Sequence, residues 1–172
     1  MRRPINPKFA SILFDSCAFD PKYSPEDRAS AEIYRMFAEG KKMILTIAHS
    51  TQKEIDHPST PAWIKKAANA VLFTYPVTLN SDEQTRKAKI FAILTGNGNP
   101  EKYRQDAEHV FEASKYGPYF VTTDERIIRK RGELAQVCAA VIVKPSELLE
   151  IIRSYGDVCR SSASVGAFEL IS

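Results

Sequence analysis

Short apolar runs alternate along this chain with segments whose apolar residues recur every three or four positions, the pattern of strands separated by helices. Phe9 to Phe14 carries no charge and is bounded by Pro7 and Asp15, as expected of a strand buried on both faces. Met43-Ile44-Leu45-Thr46-Ile47 is the second such run, and Tyr119 to Thr122 and Ala139 to Val143 are two more. Tyr75-Pro76-Val77-Thr78-Leu79 suits only a sheet edge, where the missing proline N–H is tolerated.

The intervening segments carry helix signals. Ser24-Pro25-Glu26-Asp27 predicts a start with Ser24 as N-cap and Pro25 in the first turn; Ile33, Tyr34, Met36 and Phe37 supply the inner face, and Gly40 ends it. A second helix is expected from about Ser50 to Pro58, and a third opens at Pro61 with Trp63, Ile64, Ala67, Ala70 and Val71 at helical spacing. Further helices are predicted over Ser81 to Leu94, Tyr103 to Lys115, Glu125 to Gly132 and Pro145 to Arg153; Thr95-Gly96-Asn97-Gly98-Asn99-Pro100 reads as a loop.

Alternation of this kind implies an α/β fold with a parallel sheet covered by helices on both faces. Its size, 172 residues with 44% hydrophobic content, suits one domain over residues 1–154, and the Ser/Gly/Ala-rich stretch 155–172 reads as a tail held at most by Phe168 to Ile171. The net charge of +3 is compatible with nucleic acid without requiring it. Cys17, Cys138 and Cys159 form neither a disulfide framework nor a zinc motif, which points to a reducing cytoplasm. Asp15 interrupts the N-terminal apolar run before signal-peptide length, and no segment approaches the roughly 20 apolar residues of a membrane span.

Candidate chemistry lies in four acids. Asp15 and Asp124 follow apolar strands, Glu54 lies on the helix after the second strand, and Asp106 opens a helix whose Val110 and Ala113 continue its stripe at i+4 and i+7. In open parallel sheets, ligands bind at the carboxyl ends of strands, so all four can converge there. Each also has a structural explanation: Asp124 as an N-cap, Asp106 as a first-turn acid, Glu54 as the partner in a Thr51-Gln52-Lys53-Glu54 capping box. Asp15 resists such an explanation, because an acid ending a buried strand needs a partner or a cation. A carboxylate cluster is self-repelling, and a hard divalent cation, Mg2+ or Mn2+, relieves it and brings phosphate chemistry with it.

Four blocks, Leu13-Phe14-Asp15-Ser16, Thr51-Gln52-Lys53-Glu54-Ile55, Asp106-Ala107-Glu108-His109-Val110-Phe111-Glu112-Ala113 and Val121-Thr122-Thr123-Asp124-Glu125-Arg126-Ile127, resemble the PIN domain in order and separation over about residues 9–153. PIN domains are small metal-dependent nucleases that include the VapC-like toxins of toxin–antitoxin pairs. The resemblance implies a three-layer α/β/α fold with a central parallel sheet of strand order 3-2-1-4-5. It also implies Mg2+ or Mn2+ at Asp15, Glu54, Asp106 and Asp124, and hydrolysis of RNA. It admits a homodimer and an antitoxin protein as partners without requiring either. Cys17 stands where the toxins often have asparagine, and the chain is longer than a minimal toxin between Pro58 and Gln105 and in the tail.

Supporting polar residues beside the acids are Ser16, Thr122 and Thr123, able to bond the carboxylates or strand-end backbone. Arg126, Arg129, Lys130 and Arg131 form a basic helix suited either to RNA phosphates or to a solvated helix end, and Lys53, Lys65, Lys66 and Lys115 could extend the track. His49, His57 and His109 lack the spacing of a metal triad and read as structural or surface residues. A cysteine-phosphatase loop is excluded because Tyr23 stands where its arginine would be, so Cys17 reads as a small buried side chain. The alternatives to a nuclease are a non-catalytic PIN-fold module that binds RNA or protein and, behind it, a phosphotransferase or receiver-type domain using Lys144.

Overall fold

A computed structural model of the chain describes residues 5–19, 21–39, 44–58, 60, 62–68, 72–73 and 78–165. Strand β1 (Ser11–Phe14) occupies the middle of a parallel sheet. Strand β2 (Ile44–Ile47) flanks it on one side, and β4 (Tyr119–Val121) then β5 (Val141–Val143) on the other. A two-residue strand, β3 (Leu72–Phe73), pairs with β2 and gives the order β3-β2-β1-β4-β5, every pair parallel.

Alternation along β1 divides the core in two. Ile12 and Phe14 face one way with Leu45, Ile47, Tyr119, Val121 and Val143. Over this face lie helices α1 (Ser16–Phe19), α2 (Glu26–Ala38), α3 (His49–Ile55), α4 (Ala62–Ala68) and α8 (Pro145–Val165), contributing among others Ile33, Ile55, Ala68 and Leu148. Leu13, Phe120 and Ile142 face the other way, beneath α5 (Ser81–Thr95), α6 (Arg104–Tyr116) and α7 (Glu125–Leu134). Ile12, Leu13 and Phe14 are all fully buried, which is what an uncharged strand between two helical layers requires.

Register places the chemistry. Phe14 is paired with Ile47 on one side and Val121 on the other, so Asp15, Ala48 and Thr122 are the next residues at one edge of the sheet. The Asp15 N–H donates to the Val121 carbonyl at 2.9 Å, which carries the β1–β4 alignment one residue beyond the strands. No helix among the described residues is long and apolar enough to cross a membrane.

Several boundaries differ from the sequence reading. Pro7–Phe9 form a 3-10 turn instead of strand, fixed by the Asn6 side chain accepting from the Lys8 N–H, and Phe9 is exposed. Ser24 does not cap α2; the helix begins at Glu26 on a turn in which the Tyr23 carbonyl accepts from the N–H groups of Glu26 and Asp27. The strand beside β2 is Leu72–Phe73; of the run expected there, Thr78 and Leu79 are irregular and residues 75–77 lie outside the described ones. Gly40, Met43, Ala70 and Val71 also lie outside them. Helix α8 does not stop at Arg153 but continues to Val165. No proline interrupts the 155–165 stretch, and its serines and alanine are compatible with continued helix, whereas residues 166–172 are outside the described part.

The turn between α6 and β4 tests the packing. Gly117 sits against β1, and an added Cβ would lie 2.5 Å from Leu13 Cδ1 and 2.6 Å from the Ser11 carbonyl oxygen. Its backbone is extended (φ −155°), so the restriction is one of space and not of conformation. Gly117→Ala is expected to destabilise the fold by about 1–3 kcal/mol through overpacking. Urea unfolding measures this; an unchanged midpoint would show that α6 does not approach β1 this closely.

Candidate functional site

Asp15 emerges from β1 into a fully bonded pocket, with only 5% of the residue exposed. One carboxylate oxygen accepts from the Ser16 N–H at 2.9 Å and lies 3.3 Å from His109 Nδ1. The other accepts from Thr122 Oγ1 at 2.7 Å and from the Cys17 thiol at 3.3 Å. Burial alone would raise its pKa, but the hydrogen bond and charge of His109 with the bonds from Thr122 and Cys17 outweigh it, so Asp15 is held below the usual aspartate range. The Cys17 thiol is pushed up to about 12 by its burial and by the Asp15 charge, which makes it a donor and not a nucleophile.

Glu54 reaches the same place from α3. Its two oxygens accept from Ser16 Oγ and Gln105 Nε2. The capping box does not form: α3 begins at His49 after Ala48, so Thr51 is inside the helix and its buried hydroxyl has no partner. The Glu54 side chain is therefore free of the backbone role that competed with its functional one.

His109, read from sequence as structural or surface, belongs to this site. It is 3% exposed, and Asp15, Glu54 and His109 each offer a ligand atom within 4.8 Å of the others. Its signal was present as Asp106-x-x-His109, a spacing that puts both residues on one face of α6. Burial lowers its pKa, but the hydrogen bond to Asp15 and the charges of Asp15, Glu54 and Glu112 raise it more. Its Nε2 is buried without a protein partner.

Asp106 and Asp124 form the adjoining half. Asp124 caps α7, its Oδ1 accepting from the Arg126 N–H at 2.7 Å, so the N-cap reading holds for it. The Arg126 guanidinium grips Asp124 Oδ2 at 2.6 Å and touches Asp106 Oδ1 at 3.3 Å. Asp106 Oδ2 is buried with no partner at all. Burial is the largest cause raising the Asp106 pKa to about 6; Arg126 pulls it down, and the charges of Asp124 and Asp15 push it up again. Asp106 and Asp124 are not in the close donor set with Asp15, which the sequence reading had grouped with them.

The supporting residues divide by role. Thr122 donates to Asp15 and accepts from the Asp124 N–H at 3.0 Å, so one buried hydroxyl links both strand-end acids. Ser16 serves Asp15 through its N–H and Glu54 through its hydroxyl, whereas Thr123 Oγ1 bonds the Cys17 carbonyl instead of an acid. On the basic helix, Arg131 is paired with Glu147 at 2.8 Å and Lys130 with Glu133 at 3.4 Å, while Arg129 is exposed with no ion pair among the described residues. Lys115 is engaged with Glu83, and nothing is described of the Lys53 side chain. A cleft of about 580 Å³ opens beside Cys17 and Thr123 and is walled by Lys22, Tyr23 and Lys144. A larger one, about 1260 Å³, lies by β5 between α7 and α8 and includes none of the four acids.

The close set of Asp15, Glu54 and His109 could hold a divalent cation. Of the four acids, Arg126 meets Asp106 and Asp124 only, and two buried atoms, Asp106 Oδ2 and His109 Nε2, lack partners among the described residues. On Asp15 the 3.3 Å contacts from Cys17 and His109 leave each oxygen one weakly held direction. No family model, curated protein or solved structure matches the chain.

The raised Asp106 pKa has a measurable consequence. Between about pH 4 and pH 6 the folded protein keeps a proton on Asp106 that the unfolded chain has lost, so this group makes stability fall as pH rises across that window. On going from pH 4.5 to pH 7.5 in EDTA, the denaturation midpoint of Asp106→Asn should shift upward relative to that of the wild type, because the variant lacks this falling contribution. An equal pH dependence in both would mean that Asp106 is not held in this environment.

Proposed function

We propose that the chain is a divalent-metal-dependent ribonuclease with a PIN-like fold, hydrolysing phosphodiester bonds of single-stranded or structured RNA. The observation that carries this reading is the close set of Asp15, Glu54 and His109 donors at the sheet edge, beside the unpartnered Asp106 Oδ2. The PIN-like assignment is supported by the order β3-β2-β1-β4-β5 together with acids after β1 and β4 and on α3 and α6.

Asp15 and Glu54 hold the cation. His109 positions Asp15 and keeps it ionised through the Nδ1 contact, one of the hydrogen bonds that orient a ligating carboxylate. Thr122 fixes the other Asp15 oxygen, and Ser16 and Gln105 orient the two oxygens of Glu54. When bound, Mg2+ or Mn2+ supplies Lewis-acid polarisation of the phosphodiester. Asp106, whose Oδ2 has no protein partner, takes a proton from the attacking water. Arg126 and Arg129 face the phosphates, and the cleft walled by Lys22, Tyr23 and Lys144 adjoins the site through Cys17 and Thr123.

Purified protein should cleave RNA with Mg2+ or Mn2+ and stop in EDTA. Asp15→Asn, Glu54→Gln and Asp106→Asn should each lower the rate by about a hundredfold or more. Cleavage that survives EDTA or is undiminished in Asp15→Asn would overturn the reading. Tight RNA binding without cleavage under either metal would favour the non-catalytic module.

A further inference from the structure

The Arg126 side chain is the least explained part of the site. Its Nη2 lies 2.6 Å from Asp124 Oδ2 and 3.3 Å from Asp106 Oδ1, its Nε 3.1 and 3.2 Å from the two Asp124 oxygens, and its Nη1 3.3 Å from the Lys102 carbonyl. The Tyr103 ring lies 5.9 Å from the guanidinium. Yet the side chain is 49% exposed, whereas Asp106 and Asp124 are 12% and 19% exposed. An arginine packed as a structural strut would be covered. This one closes the acidic edge from the solvent side and can withdraw without disturbing the core.

We propose that Arg126 is an exchangeable counter-ion: it neutralises Asp124 and Asp106 while the Asp15–Glu54 site holds no cation, and cation binding releases it to an RNA phosphate. The proposal rests on the metal-dependent reading above. A dication on Asp15 and Glu54 adjoins the Asp106–Asp124 half and repels the guanidinium, so the weaker contact, to Asp106 at 3.3 Å, is lost first. Loss of that contact frees Asp106 as a proton acceptor. The released guanidinium keeps a planar fork of donors that matches a phosphate. By linkage, whatever the cation does to the hold of Arg126, Arg126 does to the affinity of the cation. Metal loading and phosphate binding are therefore coupled through one side chain.

Calorimetric titration of Mn2+ into the full chain, without nucleic acid, tests this. Arg126→Gln should bind Mn2+ at least about fivefold more tightly than the wild type, the low end of ordinary coupling between sites. Arg126→Lys, which keeps the charge, should stay near the wild type. Arg129→Gln removes the same charge from an exposed position on the same helix and should change affinity by less than about twofold after solvent screening. Mn2+ should also raise the affinity of the wild type for a cleavage-resistant 2′-O-methyl oligoribonucleotide more than that of Arg126→Gln. Equal Mn2+ affinity in wild type and Arg126→Gln, an equal gain in Arg129→Gln, or an equal Mn2+-dependent gain in oligonucleotide binding would overturn the counter-ion role. Absence of Mn2+ binding in every protein would overturn the metal reading itself.

Discussion

Burying a carboxylate at the end of a strand covered on both faces costs several kcal/mol unless its charge is met by hydrogen bonds or an opposite charge. Asp15 is in that position, and the site is organised around meeting the demand. Strand β4 brings Thr122 alongside through the β1–β4 register, the turn into α1 brings the Ser16 N–H and the Cys17 thiol, and α6 brings His109. These donors come from α1, the end of β4 and α6, so the carboxylate ties the edge of the sheet to the layers on both its faces. The same demand explains why Asp15 is held ionised although it is buried.

The two halves of the site are electrostatically unlike. Asp15 is surrounded by donors and its pKa falls, whereas Asp106 has one weak cationic contact, one unpartnered oxygen and two neighbouring acids, and its pKa rises to about 6. Carboxylates pushed apart in this way can divide labour, one staying charged as a ligand and one exchanging a proton near neutral pH. Arg126 stands on the side of the acid with the raised pKa. Its partial exposure makes it adjustable where Thr122 and His109 are fixed.

Much of this was legible in the chain because uncharged strands and strand-end acids leave strong local marks. The runs at Ile12 to Phe14, Leu45 to Ile47 and Tyr119 to Val121 are strand; the charges of Asp15 and Asp124 act on Asp106, and those of Asp15 and Glu54 act on His109. What was missed depended on contacts distant in sequence or on competing local signals. Phe9 belongs to a turn fixed by Asn6, and the Thr51–Glu54 spacing imitated a capping box because the true helix start, at His49, carries no side-chain cap. The spacing of His109 from the other histidines carries no signal, because its partners are a strand-end aspartate and a glutamate on another helix. Nothing in α8 itself announced its extension to Val165, since serine and alanine are as common in tails as in helices.

In the function we propose, the buried carboxylate edge holds a divalent cation. The most direct measurement is an anomalous difference map from crystals of the protein soaked in Mn2+, collected near the manganese absorption edge. The account predicts a single strong peak bonded to carboxylate oxygens of Asp15 and Glu54, with the Arg126 guanidinium displaced from Asp106. A well-diffracting, Mn2+-saturated crystal with no peak at these residues, or with Arg126 still bridging Asp106 and Asp124 beside a bound ion, would contradict it.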